Sequence, residues 1–193
     1  KDNPILKEYK FFETQFSGTR LFEAQLSVKD TNRSFYQLDL LREVDELEKY
    51  VEDSLKVGLI FSPVPFVKSA NKVFMGGEQS FYTLPSSQKD VDYCFQSILM
   101  SPFGNELSRF ISEDGRYARI SGKLPDLNTK DYKVLSEKLH AFFDSRKVPF
   151  QFTYKETGSS ILFDKVSDSL IANMLQGIVI GFVLIALIGF LML

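Results

Sequence analysis

The clearest hydrophobic pattern in the chain lies at its C-terminal end, where positions 174–193 read MLQGIVIGFVLIALIGFLML and contain no charged residue. At a helical rise of about 1.5 Å per residue, about twenty residues span about 30 Å, the thickness of the hydrocarbon layer of a bilayer. A buried helix of a soluble protein would keep a polar stripe toward water, and no such stripe is present from Ile178 onward. The pattern therefore predicts a membrane-spanning helix. Because no Lys or Arg follows, we expect a span that is cut near its end.

The residues before this segment switch between the periods of strands and helices. Apolar and polar residues alternate over 20–28, which predicts a half-buried strand, and an apolar stripe at helical spacing over 38–55 predicts an amphipathic helix. The short apolar run over 57–62 ends at Pro63 and predicts a central strand that is buried on both faces. Strand, helix and strand in about forty residues form a βαβ unit.

A helical region and a second β-rich half follow. Positions 63–103 predict two short helices, the second of which begins after Ser87. The run LSRFIS at 107–112 predicts a strand, and the Glu-Asp-Gly turn at 113–115 predicts that it forms a hairpin with the next strand. The remaining predicted elements are a strand over 116–124, a helix over 129–145 and a strand over 148–156.

This order of elements predicts an α+β fold, a ferredoxin-like βαββαβ sandwich in which two helices cover one face of the sheet. The helices of 63–103 form an insertion between the two halves of the sandwich, and a short helix over 4–16 precedes its first strand. We expect one domain over 1–158. A long helix over 159–193 then enters the membrane, with its span over about 174–193.

The composition of the chain argues against some classes of protein, among them nucleic-acid-binding and disulfide-bonded proteins. The 23 Lys and Arg and the 25 Asp and Glu all fall at or before Asp168, are interspersed, and leave a net charge of −2. A chain without a basic patch is not expected to bind nucleic acid. Cys94 is the only cysteine, so no internal disulfide can form. The sequence starts with Lys1 and not with Met, and no apolar signal region follows, so we expect any export signal to lie upstream.

Few residues carry recognisable chemistry. His140 has no second His or Cys at metal-ligand spacing and is interpreted as a surface residue, and Cys94 lies on an apolar helical stripe and is interpreted as a buried thiol. We therefore expect no catalytic, metal-binding or cofactor-binding residues. Of the 19 Phe and 8 Tyr, those in and beside the insertion lack an obvious inward pattern. They are the candidates for contact with an apolar substrate: Phe66, Phe74, Phe81, Tyr82 and Phe103.

The order of these elements resembles the first large extracytoplasmic loop of the resistance-nodulation-division (RND) transporters, in the MMPL-like branch of hydrophobe and amphiphile exporters. Four stretches carry the resemblance across nearly the whole chain. They are EYKFFETQFSGTRLFEAQLSV at 8–28, LLREVDELEKYVEDSLKVGLIFSP at 40–63, LSRFISEDGRYARISGKLPD at 107–126 and YKETGSSILFDKVSDSLIANMLQGIVIGF at 154–182.

The resemblance implies that residues 1–158 form a porter-like domain on the extracytoplasmic or periplasmic side of the cell membrane, which is the inner membrane in a Gram-negative cell. Residues 160–193 would be the second membrane helix. The implied function is export of lipids or other hydrophobic or amphiphilic substrates, driven by the proton-motive force. The implied partners are the lipid bilayer, the substrate and the rest of the transporter chain. Whether the transporter forms a homo-oligomer is left open. The proton-coupling residues of the family lie in a later helix.

Two other interpretations stay open on sequence alone. In the first, the chain is a ligand-binding or protein-binding domain that is tethered to the membrane by a single C-terminal anchor. In the second, the ferredoxin-like sheet carries an acylphosphatase-like or cyclase-like enzyme. The second requires a phosphate-binding loop or paired metal-binding Asp residues at strand ends, and neither motif is recognisable in the sequence.

Overall fold

The computed structural model describes residues 4–16, 18–125, 127 and 129–192. By the density of its internal contacts the chain divides into two units, Lys1–Gly158 and Ser159–Leu193. The first unit is an α+β domain and the second is one long helix. The elements in chain order are α1 (Pro4–Gln15), β1 (Arg20–Val28), α2 (Leu38–Leu55), β2 (Gly58–Phe61), α3 (Pro63–Phe74), a 3-10 turn (Gln79–Phe81), α4 (Gln88–Leu99), α5 (Gly104–Leu107), β3 (Tyr117–Leu124), α6 (Thr129–Asp144), β4 (Phe152–Thr157) and α7 (Ser159–Met192).

The four strands form one antiparallel sheet in the order β2-β3-β1-β4. The alternation in β1 fixes its two faces, because Phe22, Ala24 and Leu26 are buried and Gln25 is exposed. Ala24 lies opposite the buried Ile120 of β3, and Val28, on the same face, lies opposite the buried Phe152 of β4. The apolar face of β1 is therefore continuous with those of its neighbours.

Helices α2 and α6 cover this apolar face. Tyr50 of α2 stacks on Phe142 of α6 with 3.8 Å between the ring centroids, and the Tyr50 hydroxyl donates to the carbonyl of Lys138 at 3.1 Å. Each helix turns an apolar stripe inward at spacings of three and four residues. The buried apolar residues of the two helices are Leu38, Leu40, Leu41, Val44, Leu47, Val51 and Leu55 of α2 and Tyr132, Leu135 and Leu139 of α6.

Helices α3 and α4 form the predicted insertion and begin at hydroxyl N-caps. The Ser62 side chain accepts from the backbone N–H of Val64 at 2.9 Å, and the Ser87 side chain accepts from the N–H of Asp90 at 3.3 Å. The buried residues of these helices are Pro63, Val64 and Val67 of α3 and Val91, Cys94, Phe95 and Ile98 of α4.

Two strand predictions are wrong. The run over 57–62 was expected to be a central strand, but β2 is an edge strand, and Leu59 and Phe61 are about half exposed. The run 107–112 is not a strand, because Leu107 ends helix α5 and only Ile111 makes a single bridge, to Ala118. Leu107 and Ile111 are both buried and lie four residues apart, so their apolar spacing reflects a helical turn.

The last strand begins later than its alternation predicts. Residues 148–151 precede β4 without joining the sheet ladder, although Phe150 is 2% exposed. The backbone N–H of Gln151 donates to the carboxylate of Glu43 on α2 at 2.8 Å. A side chain therefore satisfies a backbone group that a neighbouring strand would otherwise bind.

Helix α7 runs without interruption from Ser159 to Met192. Among the described residues it is the one helix that is long and apolar enough to cross a membrane, judged by length and composition. This stretch runs from Asp168 to Leu191, has a mean hydropathy of 2.6, and contains no residue buried within the structure. It begins before the expected start at Met174, while Leu193 lies outside the described residues.

Candidate functional site

An apolar groove of about 510 Å³ lies between helices α3 and α4. Helix α3 contributes side chains at helical spacing from Phe66 to Phe74, and Ile98 of α4 forms the opposite wall. Phe61, at the end of β2, and Phe103, after α4, close the groove at its sides. Its volume lies within the usual range of small-molecule sites, about 300 to 1,000 Å³. The other lining residues are Pro65, Ser69, Ala70, Val73, Ser97 and Ser101.

The structure places three of the five aromatic candidates in this groove, namely Phe66, Phe74 and Phe103. Phe81 and Tyr82 do not line it. The Asn71 side-chain amide donates to the carbonyl of Phe81 at 3.2 Å, and the Lys68 ammonium lies 5.9 Å from the centroid of the Tyr82 ring. These contacts come from a different face of α3 than the groove-lining side chains.

Phe61 was missed by sequence reasoning. The apolar run predicts that it lies in a strand buried on both faces, whereas β2 is an edge strand and the Phe61 side chain is 50% exposed and lines the groove. The proline that follows at 63 indicated where the strand ends, but not that the strand lies at the sheet edge. Strand order depends on contacts that are distant in sequence.

A second groove, of about 520 Å³, lies on the sheet face that helices α2 and α6 leave open. Its lining mixes polar and apolar side chains and comes from β1, β3, the end of β4 and the segment 108–112. We call it the polar groove because it carries charged side chains, which the lining of the apolar groove lacks. The lining residues are Glu23, Gln25, Ser108, Arg109, Phe110, Ile111, Ser112, Tyr117, Ala118, Arg119 and Thr157. Sequence reasoning did not predict this site.

The charges of the polar groove belong to Glu23, Arg109 and Arg119. Glu23 is 8% exposed and forms an ion pair with Arg119, whose side chain is 47% exposed. Arg109 is 68% exposed and lies 3.2 Å from the carboxylate of Glu106, which is outside the groove lining. The lining therefore holds two guanidinium groups and one carboxylate, and each guanidinium group is paired with a carboxylate, Arg109 with Glu106 and Arg119 with Glu23.

Gly158, the last residue of the α+β unit, lies against Glu23 of the polar groove. It has φ +99°, a conformation that favours glycine, and a Cβ at this position would collide with the side chain of Glu23. Thr157, which lines the groove, immediately precedes it. The last residue of the α+β unit therefore packs directly against the buried carboxylate.

A buried carboxyl group lies behind the N-terminus of α3. Glu48 of α2 is 8% exposed and accepts a hydrogen bond from the hydroxyl of Ser62, the residue that caps α3. Burial raises the pKa of Glu48 to about 7, against the opposing effects of the Ser62 hydrogen bond and of the Lys68 ammonium. Lys68 itself pairs with Asp45 at 2.5 Å. This carboxyl group therefore links α2 to the helix that forms one wall of the apolar groove.

The two residues considered earlier for metal or nucleophilic chemistry lie apart from both grooves' linings. Cys94 is buried, and burial raises the pKa of its thiol to about 11, which disfavours the reactive thiolate. His140 is exposed, with its ring centroid 5.2 Å from that of Tyr154. In the described part of the chain, no group of three or more His, Cys, Asp or Glu side chains could hold a metal ion.

The chain matches no protein-family model, no curated protein and no solved structure. The two grooves and the apolar helix α7 are therefore the features of the chain that bear on its function.

Proposed function

We propose that this chain is part of an RND/MMPL-like membrane transporter that exports lipids or other amphiphiles. Residues 1–158 form the substrate-path domain on the extracytoplasmic side of the cell membrane, and α7 is a membrane helix. The proton-motive force drives the export. The observation that carries the proposal is an open apolar groove in a domain that is followed, after the single residue Gly158, by a membrane-length helix.

The topology of the sheet supports this assignment. Without the insertion, the elements β1, α2, β2, β3, α6 and β4 have the βαββαβ order, and each pair of neighbouring strands is antiparallel. We take this as the ferredoxin-like sandwich. The resemblance described above associates this order, followed by a membrane helix, with the extracytoplasmic domains of the RND family.

A mechanism follows from the short connection between the domain and α7. Alternating access in many transporters is a rigid-body movement of one part against another. Gly158 is the single residue between β4 and α7. In the proposal, tilting of α7 in the membrane turns the domain and changes access to the groove.

Export by the full-length protein tests whether the apolar groove lies on the substrate path. Phe74 and Phe103 are partly exposed in the groove, so truncating them removes contacts with substrate and leaves little cavity in the core. The variant F74A/F103A should export a hydrophobic fluorescent dye about tenfold more slowly, because two aromatic contacts are lost. The matched variant F81A/Y82A alters aromatic residues outside the groove and should stay within about twofold of the parent.

Equal rates in both variants, together with normal export by the parent, would overturn the groove as part of the path. Failure of the parent to export any hydrophobic dye would overturn the transporter itself and favour the tethered binding domain. The amount of each protein in the membrane is measured by immunoblotting, so that a folding defect is not counted as a transport defect.

A further inference from the structure

The apolar groove and the polar groove meet along a rim formed by two phenylalanines. Phe61 lines the apolar groove and Phe110 lines the polar groove, and their ring centroids lie 6.2 Å apart. The Phe110 ring also lies 5.7 Å from that of Phe66, which lines the apolar groove. Direct ring contacts therefore join the walls of the two grooves.

The backbone places this rim next to the cationic side chains. The N–H of Arg119 donates to the carbonyl of Phe110 at 2.9 Å, and Phe61 is paired with Ser121, two residues further along β3. Positions 119 and 121 lie on the same side of the strand, which is the open face of the sheet. The backbone of Phe110 and the position of Phe61 thus lie beside Arg119 on the same face of the sheet, while the Arg119 guanidinium pairs with Glu23 of β1.

The charges near the rim favour an anion. The side chains of Arg109 and Arg119 are 68% and 47% exposed, and their carboxylate partners, Glu106 and Glu23, are 48% and 11% exposed. In each ion pair the guanidinium group is therefore the more exposed partner. Guanidinium groups bind carboxylate and phosphate through paired, charge-assisted hydrogen bonds.

We propose that the two grooves form one site for an anionic amphiphile, such as a fatty acid or a lysophospholipid with a phosphate head. The apolar chain lies between α3 and α4, crosses the Phe61–Phe110 rim, and presents its carboxylate or phosphate to Arg109 and Arg119. This inference rests on the proposed function, because it names the class of substrate and the residues that select its head group.

Fluorescence quenching tests this assignment directly. The chain contains no tryptophan, so F103W introduces a single reporter at the side of the apolar groove. The whole chain is placed in lipid nanodiscs and titrated with a brominated twelve-carbon fatty acid, whose bromine quenches tryptophan on contact, and with the corresponding brominated alcohol. The two ligands share a tail and differ in the charge of the head.

The fatty acid should quench the reporter at about a tenfold lower concentration than the alcohol, because one charge-assisted contact contributes about 1.4 kcal/mol or more. R109Q in the reporter protein should reduce this preference to within about twofold. R119Q is combined with E23Q, so that no buried carboxylate loses its partner, and should have the same effect. The matched control R42Q changes an exposed arginine of α2 outside both grooves and should keep the preference.

Equal quenching by acid and alcohol in the reporter protein would overturn the proposal that the site selects an anionic head group. It would leave the apolar groove as part of the proposed substrate path. An equal loss of preference in R42Q and R109Q would also overturn it, because a general surface charge would then explain the effect. Quenching by either ligand that does not exceed partition into the bilayer, measured on free tryptophan octyl ester in empty nanodiscs, would overturn the bipartite site. Export of dye by the full-length protein, measured separately, shows whether the proposed function falls with it.

Discussion

Helices α2 and α7 are the two longest helices in the described part of the chain, and their apolar residues have different surroundings. Helix α2 has 18 residues, and its apolar stripe is buried against the sheet, with Leu40 and Val44 each 0% exposed. Helix α7 has 34 residues, and its apolar stretch has no polar stripe and no buried residue. An apolar stripe on one side of a helix is covered by protein, whereas a helix that is apolar all round needs an apolar surrounding medium.

The difference matters for function because both helices connect to the same domain. Helix α2 supplies Glu48 to the cap of α3, which forms a wall of the apolar groove, and α7 follows the last strand of the sheet after one residue. If the comparison is right, equivalent substitutions in the two helices should have separable effects. The domain should lose stability in one case, and membrane insertion should suffer in the other.

The largest expected effect comes from the same substitution in each helix. V44D places an unpaired carboxylate in the core and should lower the free energy of unfolding by about 3 to 5 kcal/mol. V179D, near the middle of the apolar stretch, should disfavour membrane insertion by about 2.5 to 3.5 kcal/mol and leave the domain folded. Hydrogen exchange of the sheet amides reports folding, and resistance to alkaline extraction from membranes reports insertion. Loss of sheet protection in V179D would show that the two helices are not independent.

The buried Glu48 of α2 should make the stability of the domain depend on pH. Its pKa is raised from 4.5 to about 7, so the folded state binds more protons than the unfolded state between these values. Stability should therefore fall as pH rises from about 5 to about 7, by up to about 3 kcal/mol, and then level off. Denaturant unfolding at several pH values measures this, and E48Q should remove most of the slope. The exposed Asp53 of the same helix, changed in D53N, provides the control, and an unchanged slope in E48Q would contradict the assignment.

Two glycine substitutions should have smaller effects of unequal size. G158A forces a side chain onto a residue with φ +99° and against Glu23, and should destabilise the domain by about 1 to 3 kcal/mol. G177A, in α7, meets no atom within 4 Å and should leave domain unfolding unchanged within about 0.5 kcal/mol. Denaturant unfolding in nanodiscs compares the two. Similar losses would mean that Gly177 packs against the domain or another helix.

Local patterns predicted the elements that depend on local spacing. The bounds of α2 and β1 match the predicted 38–55 and 20–28, because each has an uninterrupted apolar period. Local patterns do not predict whether a strand lies at the edge or in the centre of the sheet. β2 is an edge strand because β3 and β1 occupy the two central positions. The segment 107–112 was misjudged because its few apolar residues fit a helical turn as well as a strand.

Part of the candidate site could be predicted from the sequence for the same reason. The aromatic candidates lie close together in sequence, and the structure brings Phe66, Phe74 and Phe103 to one groove, although Phe81 and Tyr82 lie elsewhere. The polar groove depends on Glu23 from one strand and on Arg109 and Arg119 from a later segment and strand, which only the sheet register brings together. No local pattern contains that information.

The most direct test of the account is to uncouple the domain from α7 in the full-length protein. A flexible Gly-Ser linker inserted between Gly158 and Ser160 should abolish export of a hydrophobic dye, although the protein stays in the membrane and the domain stays folded. The same linker between Gly76 and Gly77, an exposed turn with open space around both residues, should leave export intact. Undiminished export with the linker after Gly158 would contradict the claim that this domain is a moving part of a transporter.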